Sequence, residues 1–180
     1  LQKGPEPLYQ EAVQAISNMV EALGASIFLY QPSADQWSLK AYAIRAPLLV
    51  ALPSHSFFGN WLEEQSGMVS RSEILTSPCF EEDRSQLFKY FVEFKAHLII
   101  PLRDPTRLVG FMALGPKAGG GDFEEREYEA LDWVVNELSL MVSHASLNEE
   151  LVKKQALLDD LNRLKGEFVS NITHDLSTPL

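Results

Sequence analysis

The chain has 180 residues, with fifteen Lys and Arg against twenty-five Asp and Glu, and a net charge of -10. Its 46% apolar and 22% charged residues are globular composition, not that of a disordered tail or a disulfide scaffold. The acidic balance argues against non-specific nucleic-acid binding and against docking on anionic membranes, both of which need cationic charge.

The length suits one domain with something appended, or two small ones. Cys79 is the single cysteine and cannot form an internal disulfide, so a reducing, cytoplasmic compartment is expected. No run approaches the roughly 18 apolar residues that cross a bilayer. The longest candidate, residues 46–53, is bracketed by prolines. No signal-peptide pattern is present. The chain opens on Leu1 and reads as a piece of a longer protein, so membrane attachment of the whole is left open.

In chain order, Leu8, Ala12, Ala15, Ile16, Met19, Val20 and Leu23 have helical spacing with one buried face. Gly24 is the expected stop. Residues 25–30 and 37–44 read as two strands of a hairpin, the second alternating as a half-buried strand should, with a turn over 31–36. A short helix is expected over 57–64, burying Phe57, Phe58, Trp61 and Leu62, and a short strand over 67–70. Residues 81–94 read as a helix with Leu87, Tyr90, Phe91 and Phe94 inward. Two strong strands follow, 96–102 and 108–114, joined by a turn whose Pro105 presets one dihedral. Gly119 to Gly121 then break the structure.

From Phe123 to about Thr173 there is no proline, and the only glycine is Gly166. Asp122 and Glu125 have capping-box spacing. One helix of about 50 residues would be about 75 Å long, more than a small domain can cover. Its first half can pack through Leu131, Val134, Val135, Leu138 and Val142, and the second half is expected to project. Leu147, Leu151 and Leu158 fall on a heptad seam interrupted by Lys154. Leu157, Leu161, Leu164 and Phe168 repeat at spacings of four, three and four. Such a seam needs a partner helix, so a coiled coil is expected; the alternative is an amphipathic helix folded back on its own domain.

His174 stands on that helix beside Asp175 and four residues before Thr178, hence on one face with it. A neutral imidazole is nucleophilic, and a neighbouring carboxylate can take the proton from its other nitrogen. Alone, a His-Asp pair on a helix is usually a solvated surface pair. The full run Phe168-Val-Ser-Asn-Ile-Thr-His-Asp-Leu-Ser-Thr-Pro-Leu180 resembles the phosphoacceptor box of sensor histidine kinases in two-component systems. Phe168, Thr173, His174, Asp175, Leu176, Thr178, Pro179 and Leu180 match, and Ser177 departs where the family usually has Arg. The resemblance implies that His174 accepts the γ-phosphoryl of ATP, that Asp175 is the base, and that Thr178 assists dephosphorylation of a response regulator. It also implies pairing of this helix in a homodimeric four-helix bundle. The ATP- and Mg-binding domain is not represented, so this piece is expected to hold no cofactor of its own and to be inactive alone.

Residues 5–145 resemble a GAF domain, through Gly59-Asn-Trp-Leu-Glu-Glu-Gln-Ser-Gly-Met-Val-Ser70 and Ile99-Ile-Pro-Leu102 leading into Leu108-Val-Gly-Phe-Met-Ala-Leu-Gly115. The fold implied is α+β: an antiparallel sheet flanked by helices, with a long C-terminal helix extending into a coiled coil. Residues 146–166 would be the signalling coiled coil and 167–180 the start of the histidine phosphotransfer helix. Ligands of the family sit between the sheet and the short helices. Phe57, Phe58, Trp61, Phe80 and Phe91 are the candidate pocket residues; alternatively, the aromatics of this segment simply fill the space. Cys79-Phe80 resembles part of a cyanobacteriochrome Asp-x-Cys-Phe motif, but Ser77 stands at the Asp position and a buried inert thiol is the alternative. His55, His97 and His144 show no metal-ligand spacing with Cys79.

The reading is therefore a sensory and dimerisation piece of a histidine kinase, with a response regulator and an unidentified small molecule as partners and no nucleic acid. The rival is a non-catalytic GAF dimerisation or small-molecule-binding regulatory module.

Overall fold

The computed structural model describes residues 6–177, which fall into two units, the first ending at Val142 and the second beginning at Ser143. The first unit is built on a six-stranded antiparallel sheet. Helix α1 (Glu6–Met19) precedes β1 (Ala25–Gln31), β2 (Gln36–Ala43) and β3 (Ala51–Pro53). Then come α2 (Phe57–Glu64), β4 (Val69–Ser70), α3 (Arg71–Thr76), a single 3-10 turn (Pro78–Phe80) and α4 (Arg84–Glu93). Strands β5 (Leu98–Arg103) and β6 (Leu108–Leu114) lead to α5 (Glu125–Ser177). The strand order is β3-β2-β1-β6-β5-β4. This α+β architecture is the one expected from the sequence.

Each face of the sheet is covered. On one side Tyr9, Val13, Ile16 and Val20 of α1 pack with Leu131, Val135, Leu138 and Val142 of α5 against Ile27, Leu29, Ile100 and Met112. On the other, α2, α3 and α4 cover Phe28, Trp37, Ile99 and Phe111. The buried stripe of α1 is rotated from the expected one: Leu8, Met19 and Leu23 are exposed, and Tyr9 and Val13 point inward. Apolar residues occupy both sides of this stripe, so spacing alone does not choose between neighbouring faces.

Gly24 does not end α1. The helix closes at Glu21, whose φ is +50°, with Ala22 N–H donating to Ser17 O (2.9 Å) and Glu21 N–H to Asn18 O (3.3 Å). This is a Schellman closure with a glutamate in the left-handed position. Helix α4 ends the same way at Lys95 (φ +54°), where Ala96 N–H donates to Phe91 O at 2.8 Å. The expected helix over 81–94 begins only at Arg84. The sequence reading also lacked α3 and β3. Helix α3 is short but capped, with Ser70 Oγ accepting from Glu73 N–H at 3.1 Å, and Arg84 binds its final carbonyls, Ile74 O and Ser77 O. Strand β3 has three residues, too few to show a period.

The expected capping box at α5 is displaced by two residues. Glu127 Oε2 accepts from Glu124 N–H (2.6 Å), while Tyr128 N–H donates to Glu124 O (3.0 Å). Lys117 Nζ holds the same carboxylate oxygen at 2.8 Å. Burial pushes Glu127 up, but the Glu124 N–H and the Lys117 ammonium outweigh it and leave its pKa below the ordinary carboxylate value.

Two bulges redirect side chains. Strand β1 pairs Ile27 with Ala41 but Phe28 with Leu39, leaving Lys40 extra in β2. Ala41 and Ala43 therefore face α1 while Trp37 and Leu39 face the other layer, although all four share one parity. Leu102 pairs with Gly110 and Arg103 with Leu108, so Val109 is the extra residue in β6.

In the second unit, α5 runs to Ser177, and every residue from Leu147 to Ser177 is exposed, including Leu151, Leu158, Leu161, Leu164 and Phe168. Glu149–Lys153, Glu150–Lys154 and Arg163–Glu167 form i,i+4 ion pairs on its surface. Among the described residues no helix is long and apolar enough to cross a membrane.

Candidate functional site

The layer between the sheet and α2–α4 is aromatic and closely packed. Phe28 and Phe111 stack at 4.6 Å with an interplanar angle of 2°. Phe58 lies 5.0 Å from Phe94, 5.0 Å from Tyr90, 5.3 Å from Phe111 and 5.4 Å from Trp61. Of the candidate pocket residues, Phe58, Trp61 and Phe91 are buried here, whereas Phe57 and Phe80 are half-buried at its margin. Phe57 stacks on Tyr90 at 6.5 Å and Phe80 meets Trp61 edge-on at 6.4 Å. The indole N–H groups of Trp37 and Trp61 are buried and have no hydrogen-bond partner among the described residues. Gly59 lets α2 start against the Ser54 carbonyl, which a Cβ would overlap.

At one end of the sheet, where β1 and β5 begin and β2 and β6 end, a cleft of about 380 Å³ opens beside the C-terminus of α4. Arg45, Arg71, Lys95 and His97 line it. Arg71 Nη1 reaches His97 Nε2 at 3.3 Å, and its guanidinium lies 4.7 Å over the Phe88 ring. Burial and then the Arg71 charge hold His97 below its ordinary pKa, with Asp122 pulling the other way. The ring is thus kept neutral, able to accept from Arg71. Lys95 Nζ donates to Ala46 O at 2.8 Å. Arg45 follows Ile44, whose φ is +68°, and Arg45 N–H donates to Ala43 O at 2.8 Å. That is the rare γ-turn with positive φ, here carried by a β-branched residue. The sequence reading did not find this cluster, because its members come from three separate segments: the residue after β2, the start of α3 and the α4–β5 connection.

A third polar group ties the β1–β2 turn to the start of α2. Asp35 Oδ1 accepts from Tyr30 Oη (2.8 Å) and Ser54 Oγ, and Asp35 Oδ2 lies 3.3 Å from His55 Nε2. The Ser54 and then the Tyr30 hydroxyl hold Asp35 below the usual carboxylate range. Ser54 and His55 both bind the aspartate and not each other, so this is a loop clasp without a nucleophile–base pair. Cys79 is exposed, contrary to the buried thiol considered above, with its Sγ 2.9 Å from Ser77 Oγ. The 3-10 turn holding it lies outside the core, which explains the exposure.

In the second unit His174 and Asp175 are both largely exposed, with Nδ1 and Oδ1 3.7 Å apart. Thr173, one residue earlier, donates back to Val169 O at 2.8 Å. Thr178, the third member of that candidate site, lies outside the described residues.

No family model matches the chain, and no curated protein matches it. Among solved structures it is similar to the GAF domain of an Acinetobacter phosphoenolpyruvate-protein phosphotransferase, at TM-score 0.59 and 15% identity over 81% of this chain and 86% of that one. The corresponding GAF domain from Coxiella burnetii gives 0.59 and 16%, over 82% and 87%. The blue-light absorbing form of the Thermosynechococcus elongatus PixJ GAF domain gives 0.58 and 12%, over 83% and 90%. At these identities the likeness is one of fold: the chain has a GAF-like fold.

Proposed function

We propose that the chain is the sensory and dimerisation part of a sensor histidine kinase, carrying signals from its GAF-like unit to the phosphoacceptor His174. The observation that carries this reading is the run Phe168 to Leu180 at the end of a long helix with an exposed leucine seam. In this reading Asp175, near Nδ1, takes the Nδ1 proton as Nε2 attacks the γ-phosphorus of ATP. The new bond is N–P, the bond from the γ-phosphorus to its bridging oxygen breaks, and ADP leaves with that electron pair. The phosphoryl group then passes from His174 Nε2 to the response regulator, the N–P bond breaking as the nitrogen recovers its electron pair, and Thr178 helps water hydrolyse it from the regulator as inorganic phosphate. ATP and Mg belong to a kinase domain supplied elsewhere. The protein is cytoplasmic, and the seam pairs with a second copy.

Joining the chain to a histidine kinase ATP-binding domain and incubating with labelled ATP tests this. Acid-labile labelling that disappears in His174→Gln is expected; labelling that persists overturns the role of His174. The closed packing around Phe58 favours a second reading, in which the GAF-like unit is a dimerising spacer without phosphotransfer.

A further inference from the structure

We propose that the cleft at the end of the sheet binds a small organic anion, a carboxylate or phosphate on a compact apolar body, and that Arg45 and Arg71 recognise its charge. The inference stands apart from the phosphoacceptor reading, since it rests only on the first unit.

The volume of about 380 Å³ lies within the range of small-molecule sites. Four cationic or imidazole side chains line the cleft, and no Asp or Glu does. The carboxylate that acts on His97, Asp122, is not part of the lining. In a chain of net charge -10 such a concentration is not an average property of the surface. The contrast is a second cleft of about 440 Å³, where Lys117 and Arg126 stand among Glu21, Glu124 and Glu127 and Lys117 is already paired. Among the described residues neither Arg45 nor Arg71 has an ion-pair partner.

The site is also built. Arg71 is fixed from two sides, by His97 and by the Phe88 ring, which leaves other guanidinium N–H groups for a planar or tetrahedral anion. Arg45 is presented by a strained turn: an exposed isoleucine in the left-handed region gains nothing by packing, and such strain concentrates at functional positions. Lys95 ties that turn to the end of α4 through Ala46 O. Between the charges the lining is small and apolar, with Ala25, Ala96 and Ala113 beside Phe91 and Phe94. These five residues are buried, so they offer the cleft only small apolar areas between the charges. An anion among two arginines and a lysine replaces its hydration by charge-assisted hydrogen bonds, which are the strong ones.

The test is an NMR titration of the isotope-labelled 180-residue chain with phenyl phosphate, benzoate and neutral benzyl alcohol. Saturable shifts of the Gly24, His97 and Gly115 amides are expected with at least one anion, and the preferred headgroup separates phosphate from carboxylate ligands. Arg45→Gln, an exposed change that leaves the core spectrum intact, is expected to weaken binding about tenfold, equivalent to ~1.4 kcal/mol. Arg45→Lys should recover part of it. Lack of saturation by both anions up to about 10 mM, well above the millimolar scale of weak sites, overturns the proposal. So does equal binding of benzyl alcohol, or undiminished binding in Arg45→Gln.

Discussion

Replacing Phe111 by Ala removes the ring at the centre of the aromatic layer. Phe111 is fully buried, stacks on Phe28 and meets Phe58, Phe94 and Trp37 edge-on at 5.3, 5.2 and 6.3 Å. Core Phe→Ala changes cost about 3–5 kcal/mol, the upper end applying where the cavity cannot collapse. Each aromatic pair adds ~0.5–1.5 kcal/mol beyond area burial. A backbone sheet on one side and three helices on the other resist collapse, so about 4–5 kcal/mol is expected. With a urea m-value of about 2 kcal/mol/M, the midpoint should fall by about 2 M. The control is Phe88→Ala, half-buried at the margin, where only packing and a cation–π contact of about 0.5–1 kcal/mol are lost. Urea unfolding followed by tryptophan fluorescence reads both. If Phe111→Ala costs no more than Phe88→Ala, the layer is not close-packed and the reasoning from ring contacts fails.

Gly110→Ala should destabilise by at least ~2 kcal/mol, because its Cβ would overlap the Phe28 carbonyl oxygen and come within 2.7 Å of Leu29 Cδ2, and thermal unfolding reads the loss. Glu127 titrates below its ordinary value of 4.5 in the folded state, so its contribution is present above that pH and is lost as pH falls through the folded value. Glu127→Gln should therefore flatten the acid limb of a stability–pH curve. His97 should titrate below 6.5 by NMR and move back upward in Arg71→Gln, which removes one of the two causes of its depression. On the proposed pairing of the leucine seam, the chain sediments as a dimer at about 100 μM and replacing Leu158 and Leu161 by Lys makes it a monomer, since charge in a heptad seam cannot be desolvated.

Local pattern determined much of this protein. The helix over 57–64 matches α2 because Ser56 caps it through Gly59 N–H and its apolar residues keep one face. The turn at Asp104 was legible from Asp and Pro, and the aspartate accepts from the Thr106 and Arg107 N–H groups at 2.7 and 2.9 Å. The hairpin of β1 and β2, the strands β5 and β6 and the core stripe of α5 were equally plain from period and composition. The phosphoacceptor reading rests on the wording of the sequence alone and stands as a proposal.

Tertiary structure decided what period could not. Alternation in β2 assigns Trp37, Leu39, Ala41 and Ala43 to one face, and the bulge at Lys40 sends them to two layers. Positive φ at Glu21, Ile44 and Lys95 carries no glycine signal; backbone hydrogen bonds close the chain around each, from Ala22 N–H to Ser17 O, Arg45 N–H to Ala43 O and Ala96 N–H to Phe91 O. Arg45, Arg71 and Lys95 are ordinary cations in the sequence, and His97 an ordinary histidine. They meet because antiparallel pairing brings the starts of β1 and β5 and the ends of β2 and β6 to one end of the sheet. A charge's sequence position reports its solvation, whereas its neighbours are set by strand order, and strand order is a property of the whole chain.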